Sequence, residues 1–147
     1  MNRKLLVTLL LFAISGGSAP CGENECEPQA VALVAKHQIE RMKLGKKQLV
    51  CVSLPNYKDP SADFLKKINE QRLTLSPGSV CREPPKGIVI LIIQCRKVSE
   101  QAVELRLEVD DMNLDSAHVA SRLRTATYRI RVNGDQWKID SYESTEK

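Results

Sequence analysis

The C-terminal stretch of the chain has the least conformational freedom. Ala126, Tyr128, Ile130 and Val132 alternate with Thr127, Arg129 and Arg131, and Asn133-Gly134 follows at once. Strict alternation marks a strand with one buried face, because successive side chains point to opposite sides of a sheet. Asn-Gly is the strongest short signal for a two-residue hairpin turn. Such a turn sets Val132 opposite Asp135, Ile130 opposite Trp137 and Tyr128 opposite Ile139, so that apolar residues meet on one face. The chain must therefore hold an antiparallel hairpin with Tyr128, Ile130, Trp137 and Ile139 turned toward a core or a pocket. Large rings dominate core burial, so core is the stronger expectation. An aromatic content of 4% argues against a sugar-binding or base-stacking platform of several rings.

Two further strands are expected upstream. Residues 102–109 alternate cleanly, with Val103, Leu105, Leu107 and Val109 against Glu104, Arg106 and Glu108. That pattern predicts a strand with one wet face. Residues 88–93 are apolar throughout, which predicts a central strand covered on both faces. Ser99-Glu100-Gln101 is short enough to join these two as a hairpin, and the polar stretch from Asp110 to Arg122 reads as a longer connection.

The first half of the domain has a different periodicity. Glu27-Pro28-Gln29 suits a helix start, with proline in the first turn and an acid at the positive end. Val31, Ala35, Ile39 and Met42 then form an apolar stripe, and Gly45 is the expected stop. Leu49 to Leu54 reads as a short strand. Asp59 is expected to cap a second helix with Pro60 in its first position, Phe64, Leu65 and Ile68 on its apolar side, and an end near Arg72. Ser76-Pro77-Gly78-Ser79 and Glu83-Pro84-Pro85-Lys86-Gly87 read as loops.

The order is helix, strand, helix, then four strands. It predicts an α+β domain in which two helices pack on one face of a curved antiparallel sheet of about five strands. This order resembles the NTF2-like and cystatin-like folds, and the tail YRIRVNGDQWKIDSYE resembles their closing hairpin with its late tryptophan. The segment VCVSL…DPSADFLKKI…SPGSVC also resembles a pattern in secreted bacterial proteins of unassigned function. NTF2-like domains include enzymes and non-enzymes, so the resemblance implies an architecture without a reaction.

The N-terminus carries an export signal. Arg3 and Lys4 precede the apolar run Leu5 to Ile14, and the small residues Ser15 to Ala19 follow. Charge, apolar run and small residues in that order make a secretory signal peptide over residues 1–19, leaving one domain over 20–147. A run of ten apolar-rich residues is half of the roughly 20 that span a bilayer. Pro20 suits neither simple cleavage after Ala19 nor a lipidation motif at Cys21. A lipid on Cys21 would nevertheless leave an even number of cysteines and hold the domain at a membrane. Secreted or periplasmic release is the expectation, with a membrane-anchored lipoprotein as the alternative.

An oxidising compartment makes the five cysteines, at 21, 26, 51, 81 and 95, disulfide candidates first. Cys51–Cys81 is favoured, because the helix between them can return the chain to the first strand. Closing that loop stabilises by about 3–4 kcal/mol in the chain-entropy model. Cys21–Cys26 is a plausible local loop, which leaves Cys95 over. No Cys-x-x-Cys pair occurs and neither histidine lies near a cysteine in sequence, so neither a metal nor a cofactor is expected.

Charge excludes another class. Without Arg3 and Lys4 the 22 basic residues fall to 20 against 18 acids, too mild a balance for a nucleic-acid partner. Asp111-Met112-Asn113-Leu114-Asp115 has the alternating oxygens of a calcium loop. However, Ser116 and Arg122 stand where that loop needs Gly and Glu, so an Asp-rich turn is the better account. His118 lies near Asp115 and Ser116, but a triad is assembled in space and not by sequence neighbours. His37, beside Lys36, is expected on the helix surface. The expected function is a non-catalytic module that binds an unidentified protein or small ligand. An NTF2-like acid–base enzyme, or an inhibitor or immunity-type protein, are the alternatives.

Overall fold

The computed structural model describes residues 26–45, 47–113 and 121–146. The expected signal peptide and Cys21 lie outside the described residues, as do Asp115, Ser116 and His118.

Helix α1 spans Pro28–Met42, with the proline in its first turn as expected. It ends on Lys43 in the left-handed conformation, two residues before the expected stop at Gly45. Ala30, Val31, Ala32, Val34 and Ala35 are buried, so the helix meets the sheet through small side chains that permit close approach. Strand β1 is Val50–Ser53, and α2 spans Ala62–Asn69. Ser61, rather than Asp59, caps α2 by accepting the Phe64 N–H at 3.2 Å. Asp59 instead accepts the Ser79 N–H at 2.9 Å, and so ties the approach of α2 to a later segment.

That later segment, expected as loop, holds two short elements. Ser76–Pro77 forms strand β2 and Gly78–Arg82 forms helix α3. At two and five residues, both are too short for periodicity to reveal them. Strands β3 (Ile88–Ser99), β4 (Ala102–Asp111), β5 (Ser121–Asn133) and β6 (Gln136–Glu146) follow as an antiparallel meander.

The sheet has six strands in the order β2-β1-β3-β4-β5-β6. It is mixed rather than antiparallel, because β1 runs parallel to both β3 and β2. A parallel pair needs a long crossover, and the segment carrying α2, β2 and α3 provides it. The fold is therefore α+β, as the pattern predicts in outline, but with three α-helices rather than two and six strands rather than about five among the described residues.

Two cores result from strand alternation. Val50, Val52, Ile88, Ile90, Ile92, Leu105 and Leu107 face α1 and α2, together with Tyr128 and Ile130. The opposite side of β1 and β3 carries Cys51, Val89 and Leu91 against Cys81 of α3. Helices thus lie on both faces, not one, and the centre of β3 is covered on both sides as its unbroken apolar run requires.

Two disulfides brace this arrangement. Cys51 is bonded to Cys81, which fastens α3 to β1. Cys26 is bonded to Cys95, 69 residues away, which fastens the start of α1 to β3. This corrects the expected Cys21–Cys26 loop and uses the cysteine expected to be left over. The physical reason is a β-bulge between Ile92 and Gln94, which resets the alternation so that Cys95 joins Ile90 and Ile92 on the face under the N-terminus of α1. The pairs fit an oxidising compartment. Among the described residues no helix is long and apolar enough to cross a membrane.

The closing hairpin turns one residue later than expected. Gly134-Asp135 is the turn, and Asn133 pairs with Gln136. An Asn-Gly turn of the expected type needs positive φ at both residues. Here Gly134 has φ 65° while Asn133 stays in the strand. Val132 therefore faces Trp137 and Ile130 faces Ile139; beyond a bulge, Tyr128 faces Tyr142. A shift by two keeps every apolar residue on its face.

Gly78 of α3 packs directly on β1: a Cβ there would clash with the Ser53 Oγ, an atom that is buried without a hydrogen-bond partner. Ser53→Ala should raise stability by about 1 kcal/mol, since it removes an unsatisfied buried hydroxyl. Gly78→Ala should cost about 1–3 kcal/mol through overpacking. Urea unfolding of both single variants and the double variant checks the pair. The double variant should recover more of the Gly78→Ala loss than the gain of Ser53→Ala alone accounts for, and strictly additive effects would contradict the contact.

Candidate functional site

Helix α1 positions two neighbouring groups of side chains. One is a buried polar cluster. The residue at position 38, on the stripe through Val31 and Val34, is a glutamine and is fully buried. Its Nε2 donates to the Tyr128 hydroxyl at 2.5 Å, and its Oε1 accepts from Arg124 at 3.0 Å. The same hydroxyl lies 2.7 Å from His37 Nδ1. His37 is thus half-buried against the sheet and not on the open surface. Its ring meets Tyr128 and Tyr142 edge-on, with centroids 5.5 and 4.8 Å away. The Arg41 guanidinium lies 5.1 Å above the Tyr142 ring.

The protons in this cluster follow from its environment. Burial pushes the Tyr128 phenol up to about 12, so it keeps its proton. Burial, then the charges of Arg41 and Arg124, hold His37 below its ordinary value, with Glu40 pulling the other way. With Gln38 donating into the phenol oxygen, the Tyr128 O–H donates to a neutral His37 Nδ1. Tyr128 itself is fully buried, so no substrate can reach it.

The second group lines an open groove along the other side of α1. Gln29, Leu33 and Lys36 form one wall at helical spacing. Lys67, Glu70 and Gln71, at and just beyond the end of α2, form the facing wall. The β5–β6 turn closes one end with Asp135, Gln136 and Trp137. Two adjoining depressions of about 320 and 460 Å³ make up the groove, and Gln29, Gln71 and Trp137 belong to both.

The four residues singled out on the closing hairpin divide accordingly. Tyr128 and Ile130 are core. Ile139 and Trp137 are half-buried against that core, and Trp137 also borders the groove. Gln38, Tyr142 and Arg124 were not singled out by pattern. The available signal was Gln38, a polar residue seven positions after Val31 on an otherwise apolar stripe. The Asp-rich turn is partly occupied by local bonds: Asp111 accepts the Asn113 N–H at 2.9 Å, and Asn113 accepts the Gly87 N–H at 2.8 Å. Among the described residues no group of three or more His, Cys, Asp or Glu side chains is placed to hold a metal ion.

A different surface presents Tyr57, 62% exposed. Asn56 and Tyr57 are both left-handed, with φ 63° and 59°, an arrangement costly for residues other than glycine. Arg82 of α3 holds this turn, donating to the Tyr57 carbonyl at 3.0 Å and lying 5.4 Å over its ring. The outer face of the meander carries exposed ion pairs of Arg96 and Arg129 with Glu104 at 3.2 and 3.7 Å, each a small contribution to stability.

No family model, no curated protein and no solved structure matches the chain. The site must be read from its own geometry.

The polar cluster yields a stability prediction. Tyr128→Phe leaves the Gln38 amide and the His37 nitrogen without their partner and should cost about 1–3 kcal/mol in urea unfolding. His37 carries a folded pKa below its unfolded value of 6.5. Its contribution is therefore complete above pH 6.5 and is lost as pH falls below that value toward the folded pKa. His37→Gln should lose less stability than the unaltered protein between about pH 7 and pH 5.5. Parallel profiles for the two proteins would refute the neutral-histidine assignment.

Proposed function

We propose that the protein is an exported, disulfide-braced binding module, non-catalytic, whose ligand or partner sits in the groove beside Trp137. One observation carries this reading. The sheet face beneath α1 and α2 is filled by packed Ile, Leu and Val side chains and by Tyr128, while the accessible concavity lies outside that core, between α1, the end of α2 and the β5–β6 turn. The groove is open and lined mostly by polar side chains beside Trp137, Leu33 and Ala32, so it suits a polar ligand or partner better than the apolar ligand of an enclosed cleft.

The fold is proposed to stand with the NTF2-like and cystatin-like domains, which the packing of α1 and α2 on the β3–β6 meander supports. Export is supported by the N-terminal pattern and by two disulfides in a domain of this size. Release as a free domain is the favoured form. A lipid on Cys21 would hold it at a membrane instead, and the intact mass of the mature N-terminus separates the two forms. An acid–base enzyme of the NTF2-like kind is less well supported. Among the described residues the one histidine is engaged by Tyr128 and does not line the groove.

A second reading, an inhibitor or immunity-type protein, is favoured by Tyr57. An exposed ring on a strained turn, held by Arg82 and a disulfide-anchored helix, is the sort of rigid aromatic anchor that protein interfaces use.

Amide and indole resonances of the isotope-labelled, oxidised protein should report the site. Titration with a panel of small fragments (sugars, short peptides, anions and apolar acids) should move the signals of Gln29, Lys36, Gln71 and the Trp137 indole. Shifts confined to Tyr57 and Val80 would favour the second reading, and shifts confined to the outer face of β3–β6 would sink both.

A further inference from the structure

Resting on the reading of the groove as the binding surface, we infer that its ligand is a neutral sugar chain. The groove suits the other ligand classes poorly. An anion would meet Lys36 and Lys67 but also Glu27, Glu70 and Asp135, so the two signs oppose each other. For a cation, two lysines against three acids leave one net negative charge, which in an open, screened groove is too weak to select it. An apolar ligand needs an enclosed apolar pocket. This one is open to solvent, and Ala32, Leu33 and Pro28 are its aliphatic residues, beside Trp137. A peptide added as a strand needs a free sheet edge. Edge strand β6 enters the groove only at Gln136 and Trp137, and both long walls are helices or helix ends, so the groove offers an added strand no more than two residues to pair with.

A neutral pyranose asks for what remains. Its flat C–H face packs on an aromatic ring, and Trp137 supplies one. Its neighbouring hydroxyls each need a donor and an acceptor. Gln29, Gln71 and Gln136 each present both on one planar group, and Asp135 adds an acceptor. Open walls leave outward hydroxyls in water, where bridging waters serve nearly as well as direct bonds. Trp137, Gln29 and Gln71 are common to two adjoining depressions. The indole therefore stands between two ring positions, and the ligand spans at least two linked sugars. A platform of several stacked rings is beyond the aromatic content of this chain, but one indole between two subsites is not. Cys26–Cys95 fixes the start of α1, so the wall bearing Gln29 is held in place before ligand arrives.

The chain contains a single tryptophan, so its fluorescence reads the groove directly. The oxidised protein is titrated with tetrasaccharides of β-linked glucose, α-linked glucose and β-linked N-acetylglucosamine. At least one should change Trp137 emission saturably and move the Gln29 and Gln71 side-chain amide resonances. Gln71→Ala and Gln29→Ala, both at exposed positions, should each weaken that binding by about tenfold with unchanged melting temperature. Trp137→Ala should abolish it, and Trp137→Phe should retain part of it. No saturable response to any of the three sugars overturns the proposal. If the groove resonances then move with a peptide, an anion or an apolar acid, the groove stands and only the sugar class falls. If no class of probe moves them, both readings fall.

Discussion

The Tyr128 hydroxyl is the point at which helix α1 is set on the sheet. Apolar contacts between them are numerous but non-directional, and small residues such as Ala30, Ala32 and Ala35 would tolerate some rotation or sliding of the helix. A buried hydroxyl is less tolerant, because leaving it or its partners unpaired costs about 1–3 kcal/mol. Gln38, His37 and Arg124 can share in this network only at one rotation and one height of α1. The rest of the helix follows at fixed spacing. Gln29, Leu33 and Lys36 reach the groove because Gln38 faces Tyr128.

The second restraint acts at the other end of the same helix. Cys26, just before its first turn, is bonded to Cys95 in β3. One end of α1 is therefore held covalently to the middle of the sheet, and the C-terminal half is held by hydrogen bonds to β5. On the reverse side Cys51–Cys81 does the same for α3, whose backbone at Gly78 presses onto Ser53. The sheet is gripped from both faces at β1, a four-residue strand that is parallel to both its neighbours and has no hairpin partner to hold it.

How much of this was legible in the sequence depended on the range of the forces involved. Alternation announced β4, β5 and β6 correctly, since each strand carries its own face pattern. The apolar run at 88–93 announced a doubly covered strand for the same reason. The turn at Gly134-Asp135 lies one residue later than expected, because moving a turn by one shifts the pairing by two and leaves the same faces opposed, so alternation alone does not choose between the registers. The parallel pairing of β1 with β3 left no local trace, because it is made by a crossover and not by a turn. Helix α3 and strand β2 were too short to show a period. Of the site, Trp137 and Tyr128 could be named from their hairpin. Their partners on α1 and beyond α2 could not, because contacts between residues some 90 positions apart leave no spacing to read. Gln38 was the one visible hint, a polar group where the stripe required an apolar one.

The two disulfides are nested: the loop from 51 to 81 lies inside the loop from 26 to 95. Everything from Arg96 to Glu146 lies outside both and contains no cysteine. Pulled from its ends, the domain can lengthen only by unzipping β6, β5 and β4 in turn. The covalent knot of α1, β1, α2, α3 and the first part of β3 would stay closed. The molecule is mechanically two-part, a locked N-terminal body and a peelable ribbon. The groove lies across the boundary, with two walls on the body and Trp137 at the tip of the ribbon.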